Sequence, residues 1–364
     1  MSAQLNKKIV DFIKKNGPMT IDQYFLWCLS DPEFGYYTTC NPFGASGDFI
    51  TAPEISQMFG EMLAIFLVSA WEKHGFPQCV RLIEMGPGRG TMMVDILYAI
   101  CKLRPSFFSV LSIHMVENSE RLKLIQQQQL SSYGEKISWC SSLSDVPQGC
   151  TFFIANEFFD SLPIKQFVTT KNGMRERMVD IDCQGELIFS EGGQEVERNF
   201  LPCVDCGPGM IFETSPYRDC QMKFISDRLA CEGGAAVIID YGHFQSSIGD
   251  TLQAVKGHEY YPLLKHSGQA DLTSHVDFQR LSSIALSHKL YINGCITQGQ
   301  FLEGLGIWQR MFSLLRQNAG KKEILLDAVK RLVGESSQQT SMGVLFKVLV
   351  VSHKEIDLIP FVDS

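Results

Sequence analysis

The sequence has no apolar run of about 20 residues, the length that an α-helix needs to cross a bilayer. It also has no surplus of basic residues, because 32 Lys and Arg stand against 40 Asp and Glu. The resulting net charge of −8 disfavours a surface built to bind nucleic-acid phosphates. We therefore expect neither a membrane span nor a nucleic-acid partner, and a basic protein segment suits this acidic chain better.

The twelve cysteines do not form the pattern of a disulfide framework or of a zinc site. They are scattered along 364 residues without a secretory signal, which indicates free thiols in a reducing compartment. Cys203 and Cys206 form a CxxC pair, but a structural zinc ion needs four ligands and no second CxxC is present. Cys220 and His243 would complete such a site only by chance of folding. We expect no metal.

The front of the chain carries helical patterns. Apolar residues follow helical spacing over residues 5–13 and again over residues 55–71. Between them, Thr20 and Gln23 have the spacing of a capping box, which opens a further helix. We predict an N-terminal helical cap over residues 1–77.

From Val80 onward, short apolar strands alternate with helical segments, which predicts a mostly parallel sheet covered on both faces. The fold class is therefore α/β, with a seven-stranded Rossmann-like sheet in a core over residues 78–364. Two insertions are expected in this core, a β-rich one at about 166–209 and an ordered polar loop at about 251–285. The predicted strands are residues 80–83, 111–116, 136–140, 151–155, 235–239, 290–296 and 344–351.

A glycine-rich loop follows the first strand of this core. Glu84 precedes Gly86, Gly88 and Gly90, and Thr91 begins the next helix. Glycines at this place permit a tight turn and close approach of the backbone to a ligand, and the start of a helix favours a negative group. The spacing Gly-x-Gly-x-Gly differs from the Gly-x-Gly-x-x-Gly of dinucleotide folds. A tight strand-to-helix turn without a ligand is the alternative.

Two further strand ends carry polar side chains. Glu117 ends the second strand, where an acid accepts hydrogen bonds from both hydroxyls of a ribose; an exposed loop carboxylate is the alternative. The fourth strand ends in Asn156, Glu157 and, after two phenylalanines, Asp160. Two carboxylates and an amide beside aromatic residues suit a planar cationic nucleophile. The alternatives are a helix cap for Asp160 and a paired surface charge for Glu157.

Four segments together resemble the MidA-like family of S-adenosylmethionine-dependent methyltransferases. The similarity extends from about residue 5 to residue 350, with the segments in the expected order. The family includes the mitochondrial complex I assembly-factor protein arginine methyltransferase and many bacterial relatives. The segments are Gly47-Asp48-Phe49-Ile50-Thr51-Ala52-Pro53-Glu54-Ile55-Ser56-Gln57, Glu84-Met85-Gly86-Pro87-Gly88-Arg89-Gly90-Thr91, Asn156-Glu157-Phe158-Phe159-Asp160 and Asp271-Leu272-Thr273-Ser274-His275-Val276-Asp277-Phe278.

This resemblance implies a methyltransferase core that binds S-adenosylmethionine and, in the mitochondrial members, symmetric dimethylation of an arginine in a respiratory complex I subunit. The predicted cofactor-binding residues are Glu84, Gly86, Gly88, Gly90, Thr91, Glu117 and Asn156. The predicted catalytic residues are Glu157, Asp160, Glu54 and His275. Glu54 also suits the dipole of a helix that Thr51 would cap. For His275, a base flanked by acids and a loop-locking hydrogen bond are equally favoured.

Alternatives to arginine methylation remain open. The same core supports methylation of small molecules, and a cofactor-binding assembly factor would need no chemistry at all. No presequence is evident before residue 5, which favours a cytoplasmic bacterial relative; removal of a presequence would place the chain in the mitochondrial matrix instead. The sequence leaves oligomerisation open.

Overall fold

The computed structural model describes residues 2–40, 51–171, 173–196, 207–334 and 341–361. The helices in these ranges are α1 (Ser2–Asn16), α2 (Ile21–Ser30), α3 (Tyr36–Thr39), α4 (Ala52–Ile55), α5 (Gln57–Lys73), α6 (Thr91–Leu103), α7 (Pro105–Val110), α8 (Glu120–Gln129), α9 (Pro216–Glu232), α10 (Phe278–Ser287), α11 (Gln298–Gly304), α12 (Ile307–Gln317) and α13 (Lys322–Val333). None of them combines the length and apolar character that crossing a membrane requires.

The strands of the described chain alternate with these helices over most of its length. They are β1 (Met19–Thr20), β2 (Val80–Met85), β3 (Leu111–Val116), β4 (Ile137–Cys140), β5 (Cys150–Asn156), β6 (Lys165–Thr170), β7 (Gly173–Ile181), β8 (Leu187–Glu195), β9 (Ile211–Thr214), β10 (Gly234–His243), β11 (Gln253–Lys256), β12 (Glu259–Tyr261), β13 (Asp271–Thr273), β14 (Val276–Asp277), β15 (Tyr291–Thr297) and β16 (Phe346–Ser352).

The chain divides into two compact units. The first, which we call the sheet unit, comprises Ile50–Phe159, Gln221–Phe244 and Phe278–Ser364. Seven of its strands form a sheet in the order β15-β16-β10-β5-β2-β3-β4. Neighbours from β10 to β4 pair in parallel, whereas β16 pairs antiparallel with both β10 and β15. This arrangement confirms the predicted α/β class and the seven-stranded sheet.

The core of the sheet unit explains why its strands consist of continuous apolar runs. In β2, Val80, Leu82, Ile83 and Met85 are all nearly fully buried, because helices cover both faces of a parallel sheet. Helices α5 and α6 pack on one face and contribute side chains to the largest apolar cluster. Each large apolar side chain buried in this way contributes about 1.5–3 kcal/mol. The packed sheet therefore holds its strand ends, and the polar residues there, in fixed positions.

The second compact unit, which we call the N-terminal unit, comprises Met1–Phe49, Asp160–Cys220 and Gln245–Asp277. Helices α1 to α3 pack there with a sheet of order β1-β7-β6-β9, to which β8 is added beside β7. The capping box of Thr20 and Gln23 is present at the start of α2, as predicted. The described residues of the segment 166–209 form β6, β7 and β8, and the interpretation of this segment as an insertion stays a prediction.

The polar segment over residues 251–285 differs from its prediction. It is not a loop throughout, because β11, β12 and β13 form a three-stranded sheet and α10 begins at Phe278. These strands have only three or four residues each, which leaves too short a pattern to detect in sequence. The division into a cap over residues 1–77 and a core over 78–364 stays a prediction. The compact sheet unit includes α5, although this helix lies before residue 78.

Candidate active site

The glycine loop joins the end of β2 to the start of α6. Gly86, Gly88 and Gly90 have φ angles of +63°, +54° and +81°, in the left-handed region that side chains other than glycine rarely adopt. A Cβ atom on Gly86 would also lie 2.8 Å from the ring of Phe158. Gly90 is the N-cap residue of α6 and supplies no side-chain cap. Backbone N–H groups at this helix start can therefore bind a ligand.

Glu84 is buried at the end of β2, with 1% of its surface exposed. Its Oε2 atom has no hydrogen-bond partner among the described residues. Burial, together with the nearby charge of Glu117, raises the pKa of Glu84 to about 8. A buried acceptor in this state costs free energy unless a donor satisfies it, so Glu84 is suited to a ligand that carries N–H groups or positive charge.

Glu117 follows β3, the strand next to β2. Its Oε1 accepts a hydrogen bond from the backbone N–H of Ser119 at 2.8 Å, and its Oε2 accepts one from Nε2 of Gln126 at 3.2 Å. Burial raises the pKa of Glu117, while these two hydrogen bonds act in the opposite direction. The bonds fix the carboxylate at the carboxyl edge of the sheet, where ligands of such folds bind.

Asn156 is the last residue of β5, on the other side of β2, and Glu157 follows it. The Oδ1 atom of Asn156 is buried without a hydrogen-bond partner among the described residues, and its Nδ2 donates to Oε1 of Glu157 at 3.2 Å. Glu157 has a φ of +50°, an uncommon value for a residue with a side chain. The backbone N–H of Ala52 also donates to Oε1 of Glu157, at 3.2 Å. Glu157 thus contacts the start of α4.

Glu54 lies on α4 and contacts the glycine loop. Its Oε1 accepts a hydrogen bond from Oγ1 of Thr91 at 2.9 Å, and its Oε2 lies 3.6 Å from Nη1 of Arg89. The helix α4 itself begins after Thr51, which is the predicted N-cap residue but makes no side-chain cap bond. Asp48, from the same family segment, lies outside the described residues.

The sheet unit therefore brings together the predicted residues Glu54, Glu84, Gly86, Gly88, Gly90, Thr91, Glu117, Asn156 and Glu157 at the ends of β2, β3 and β5. The predicted roles of the individual residues stay predictions.

Asp160 and His275 belong to the N-terminal unit, where a buried arginine connects their backbones. Arg218 donates to the carbonyl oxygens of Asp160 at 3.2 Å, Ser274 at 3.0 Å and His275 at 2.6 Å. The N–H of His275 donates to Oγ1 of Thr251 at 2.9 Å. These bonds fix the loop around His275 through its backbone. For the side chain of His275, a catalytic base and a loop-locking hydrogen bond both remain open.

Three polar residues that were not identified from sequence bind predicted site residues or their chain neighbours by hydrogen bonds: Asp240 and Gln126 in the sheet unit, and Arg218 in the N-terminal unit. Asp240, near the end of β10, is fully buried and accepts hydrogen bonds from the N–H groups of Phe159 at 2.9 Å and Tyr241 at 3.0 Å. An acid at the end of an apolar strand was the available signal for it. Arg218 and Gln126 had no comparable signal, because their partners are far away in sequence.

No group of His, Cys, Asp or Glu among the described residues could hold a metal ion. Cys203 and Cys206 lie outside those residues, so their interpretation as free thiols stays a prediction. The cysteines within the described ranges are all free, and Cys220 is exposed.

The chain is similar to named relatives over most of its length. A protein arginine methyltransferase NDUFAF7, mitochondrial, from Danio rerio is 36% identical, with a match that covers 87% of this chain and 81% of the relative. The Caenorhabditis elegans homolog of that protein is 33% identical, with 98% of this chain and 88% of the relative covered.

Two solved bacterial structures share the fold. One, from Burkholderia thailandensis and bound to S-adenosyl-homocysteine, has a TM-score of 0.85 at 24% identity and covers 98% of this chain and 94% of its own. A second structure from that organism has a TM-score of 0.82 at 25% identity, covering 96% and 92%.

A family model described as "Putative S-adenosyl-L-methionine-dependent methyltransferase" matches residues 62–296, which contain the glycine loop and the ends of β3 and β5. This match and the identity to the relatives confirm the resemblance inferred from sequence, and they establish S-adenosylmethionine as the cofactor. The chain belongs to this family of S-adenosylmethionine-dependent methyltransferases.

Proposed function

We propose that this chain methylates an arginine of a protein substrate, and that Glu157 directs the guanidinium toward the methyl group. The relatives named protein arginine methyltransferase support the choice of arginine. The observation in this chain that carries the proposal is the strained backbone of Glu157. Backbone strain of this kind persists where the surrounding structure over-determines it, most often at functional sites.

The residues at the strand ends fit the cofactor. The buried oxygens of Glu84 and Asn156 that have no described partner match the ammonium and other donors of S-adenosylmethionine. In our proposal the glycine loop faces its methionyl part, and Glu117 accepts hydrogen bonds from its ribose. The cofactor supplies an electrophilic methyl group on a sulfonium centre.

The chemistry explains why a carboxylate is needed. A guanidinium stays protonated at any ordinary pH and is a poor nucleophile while its charge is spread over three nitrogens. A carboxylate against its fork draws the charge toward one side and orients the remaining nitrogen. In the transfer, that nitrogen would bond to the methyl carbon as the carbon–sulfur bond breaks with its electron pair left on sulfur, and the nitrogen would pass a proton to water.

The second acid of the proposal is Glu54 or Asp160. Glu54 lies in the same unit as Glu157, on the helix that Glu157 contacts. Its bonds to Thr91 and Arg89 also give it a role in fixing the glycine loop. Asp160 and His275 lie in the N-terminal unit, and their catalytic roles stay proposals.

We propose the mitochondrial matrix as the setting of the reaction, and the names of the relatives support it. Their names place them in mitochondria, which conflicts with the expected cytoplasmic location and supports its alternative, the mitochondrial matrix. We propose a subunit of respiratory complex I as the substrate, on the basis of the family resemblance.

The substitution Glu157→Gln tests the proposal. It keeps the size and an acceptor oxygen for the N–H of Ala52 but removes the charge, so α4 keeps its anchor. We expect unchanged S-adenosyl-homocysteine affinity and a loss of methyl transfer of roughly 100-fold or more, the scale seen when one preorganised electrostatic group is removed. Glu135→Gln, at an exposed glutamate, is the matched control.

Mass spectrometry of the products identifies the acceptor. Incubation with labelled cofactor and a mitochondrial lysate should give methyl groups on arginine. Methyl groups on lysine, on a carboxylate or on a small molecule would refute the arginine proposal. Full activity of Glu157→Gln would refute the role of Glu157, and cofactor binding without any labelled product would favour an assembly factor.

A further inference from the structure

Gln126 on α8 connects the glycine loop to the acid that follows β3. Its side chain is fully buried. Its Nε2 atom donates to the carbonyl oxygen of Gly88 at 2.8 Å and to Oε2 of Glu117 at 3.2 Å. Its Oε1 atom accepts a hydrogen bond from Nε1 of Trp139 at 2.9 Å. One amide therefore touches three elements that are separate in sequence.

We propose that Gln126 is a positioning residue that sets the spacing between the glycine loop and Glu117 and thereby the affinity for S-adenosylmethionine. This inference rests on the proposed placement of the cofactor along those two elements. It assigns to Gln126 a role that acts through Gly88 and Glu117.

The hydrogen bonds define the orientation of the amide. An indole nitrogen only donates, so the atom facing Trp139 is the oxygen and the NH₂ group faces Gly88 and Glu117. Both hydrogens of that NH₂ group are then used, one on a backbone carbonyl and one on a carboxylate. Only an amide of this length supplies two donors and one acceptor at these places.

The bond to Gly88 also fixes a peptide plane in the loop. A trans peptide is planar, so holding the carbonyl of Gly88 turns the N–H of Arg89 in the opposite direction. Gly88 has a φ of +54° and, as glycine, has wide conformational freedom. A Cβ on Gly90 would also lie 3.4 Å from Cγ of Gln126, so the side chain packs against the end of the loop. Gln126 restrains a loop that would otherwise sample other conformations.

The substitution Gln126→Glu removes the donors and keeps the length and the acceptor for Trp139. We expect S-adenosyl-homocysteine to bind about tenfold or more weakly at pH 7.5, the usual effect of losing a hydrogen bond to a charged group. Gln127→Glu is the matched control, since it makes the same change on the same helix at an exposed position. The KM for S-adenosylmethionine should rise, with kcat little changed at saturation.

A pH profile separates positioning from mere structural support. Protonation of the carboxyl introduced by Gln126→Glu restores one donor, so the deficit of this variant relative to the wild type should shrink as the pH falls from 7.5 to 6. The other charged groups around this point are Glu117 and Glu84 at the strand ends and Lys123 on α8, and they are common to both proteins. A deficit that does not change with pH would count against the proposal.

Two neutral variants cover the case in which a buried carboxylate prevents folding. Gln126→Met keeps the volume without any hydrogen bond, and Trp139→Phe removes the bond that orients the amide together with part of the indole's packing surface. Both should weaken S-adenosyl-homocysteine binding, with the smaller loss for Trp139→Phe. Wild-type affinity in both variants would overturn the proposal. If Gly88→Val and Glu117→Ala also bound S-adenosyl-homocysteine with wild-type affinity, the proposed placement of the cofactor along the glycine loop and Glu117 would be refuted instead.

Discussion

Glu157 and Ala52 are joined by a hydrogen bond of 3.2 Å from the backbone N–H of Ala52 to Oε1 of Glu157, across 105 positions of sequence. The bond ties the end of β5 to the start of α4, the helix that carries Glu54. Glu157 adopts its left-handed conformation at a cost of about 1–2 kcal/mol. A single residue therefore combines a strained backbone, a structural bond and the charge that we propose for catalysis.

Replacing Gly88 with valine should abolish binding of S-adenosylmethionine. The φ of +54° is unfavourable for a β-branched residue, and the new side chain would lie where we propose that the backbone approaches the ligand. Isothermal titration calorimetry measures the effect. Gly75→Val is the control, because Gly75 has a φ of +84° and open space around its Cβ position. Equal affinity in wild type and Gly88→Val would refute the cofactor-loop assignment.

Removing the carboxylate of Glu117 should weaken cofactor binding by about 1–3 kcal/mol, the usual cost of losing charge-assisted hydrogen bonds. The variant Glu117→Ala is compared by calorimetry with Glu120→Ala, which truncates an exposed glutamate three residues away. Thermal unfolding of both variants shows whether the fold is kept. Unchanged affinity in Glu117→Ala would refute the assignment of the ribose contact to Glu117.

Much of the fold could be predicted from the sequence, because a buried parallel sheet imposes a simple pattern. The strand predicted at 111–116 has those same bounds in the structure, and the one at 80–83 extends only two residues further. The glycine loop was detectable since three of its positions need positive φ angles. Glu117 and Glu157 could be named as candidates because ligands of such folds bind where parallel strands end; the structure places both at strand ends, and their roles stay predictions.

The parts that sequence did not reveal depend on contacts between distant residues. Gln126 stands in a run of four glutamines, and nothing local distinguishes it from its exposed neighbours. Its role comes from Gly88, 38 positions earlier, and Trp139, 13 positions later. The same holds for Arg218, whose carbonyl partners at Asp160 and Ser274 lie on both sides of it in the chain.

Cofactor binding should be linked to proton release at Glu84. Because the pKa of Glu84 is raised to about 8, its carboxyl is largely protonated at pH 6 to 7.5 before binding. A positively charged ligand favours the ionised form, so affinity should rise with pH across this window, by at most tenfold per pH unit. An α-amino group has a pKa of about 7.7–8.0 and loses part of its proton toward pH 7.5, so the rise in affinity should flatten at the upper end of this window.

Calorimetry in two buffers with different ionisation enthalpies measures the proton release. The variant Glu84→Gln should bind more weakly and show almost no pH dependence in the same window. Glu117, whose pKa burial also raises, remains in that variant and accounts for any residual slope. The folding stability of the cofactor-free protein depends on pH in the opposite direction. Because folding raises the pKa of Glu84, the contribution of Glu84 to the free energy of unfolding falls as the pH rises from 4.5 to 8. Equal proton release in both proteins would contradict this prediction.

His114 should make the fold sensitive to acid. Its side chain is buried in β3, and burial, together with Arg81 and Arg228, lowers its pKa from 6.5 to about 4. Between these two pH values the unfolded chain binds a proton that the folded chain does not, so stability is lost as the pH falls from 6.5 toward 4. The loss from this one residue is at most about 3 kcal/mol.

His114→Gln removes the titrating group, so the difference in unfolding free energy between variant and wild type should shift in favour of the variant as the pH falls. Urea unfolding at pH 7 and pH 4.5 measures that shift, and His266→Gln is the control at an exposed histidine. If the difference in unfolding free energy between His114→Gln and wild type were the same at both pH values, the folded protein would bind the proton on His114 as readily as the unfolded chain, and the prediction would be wrong.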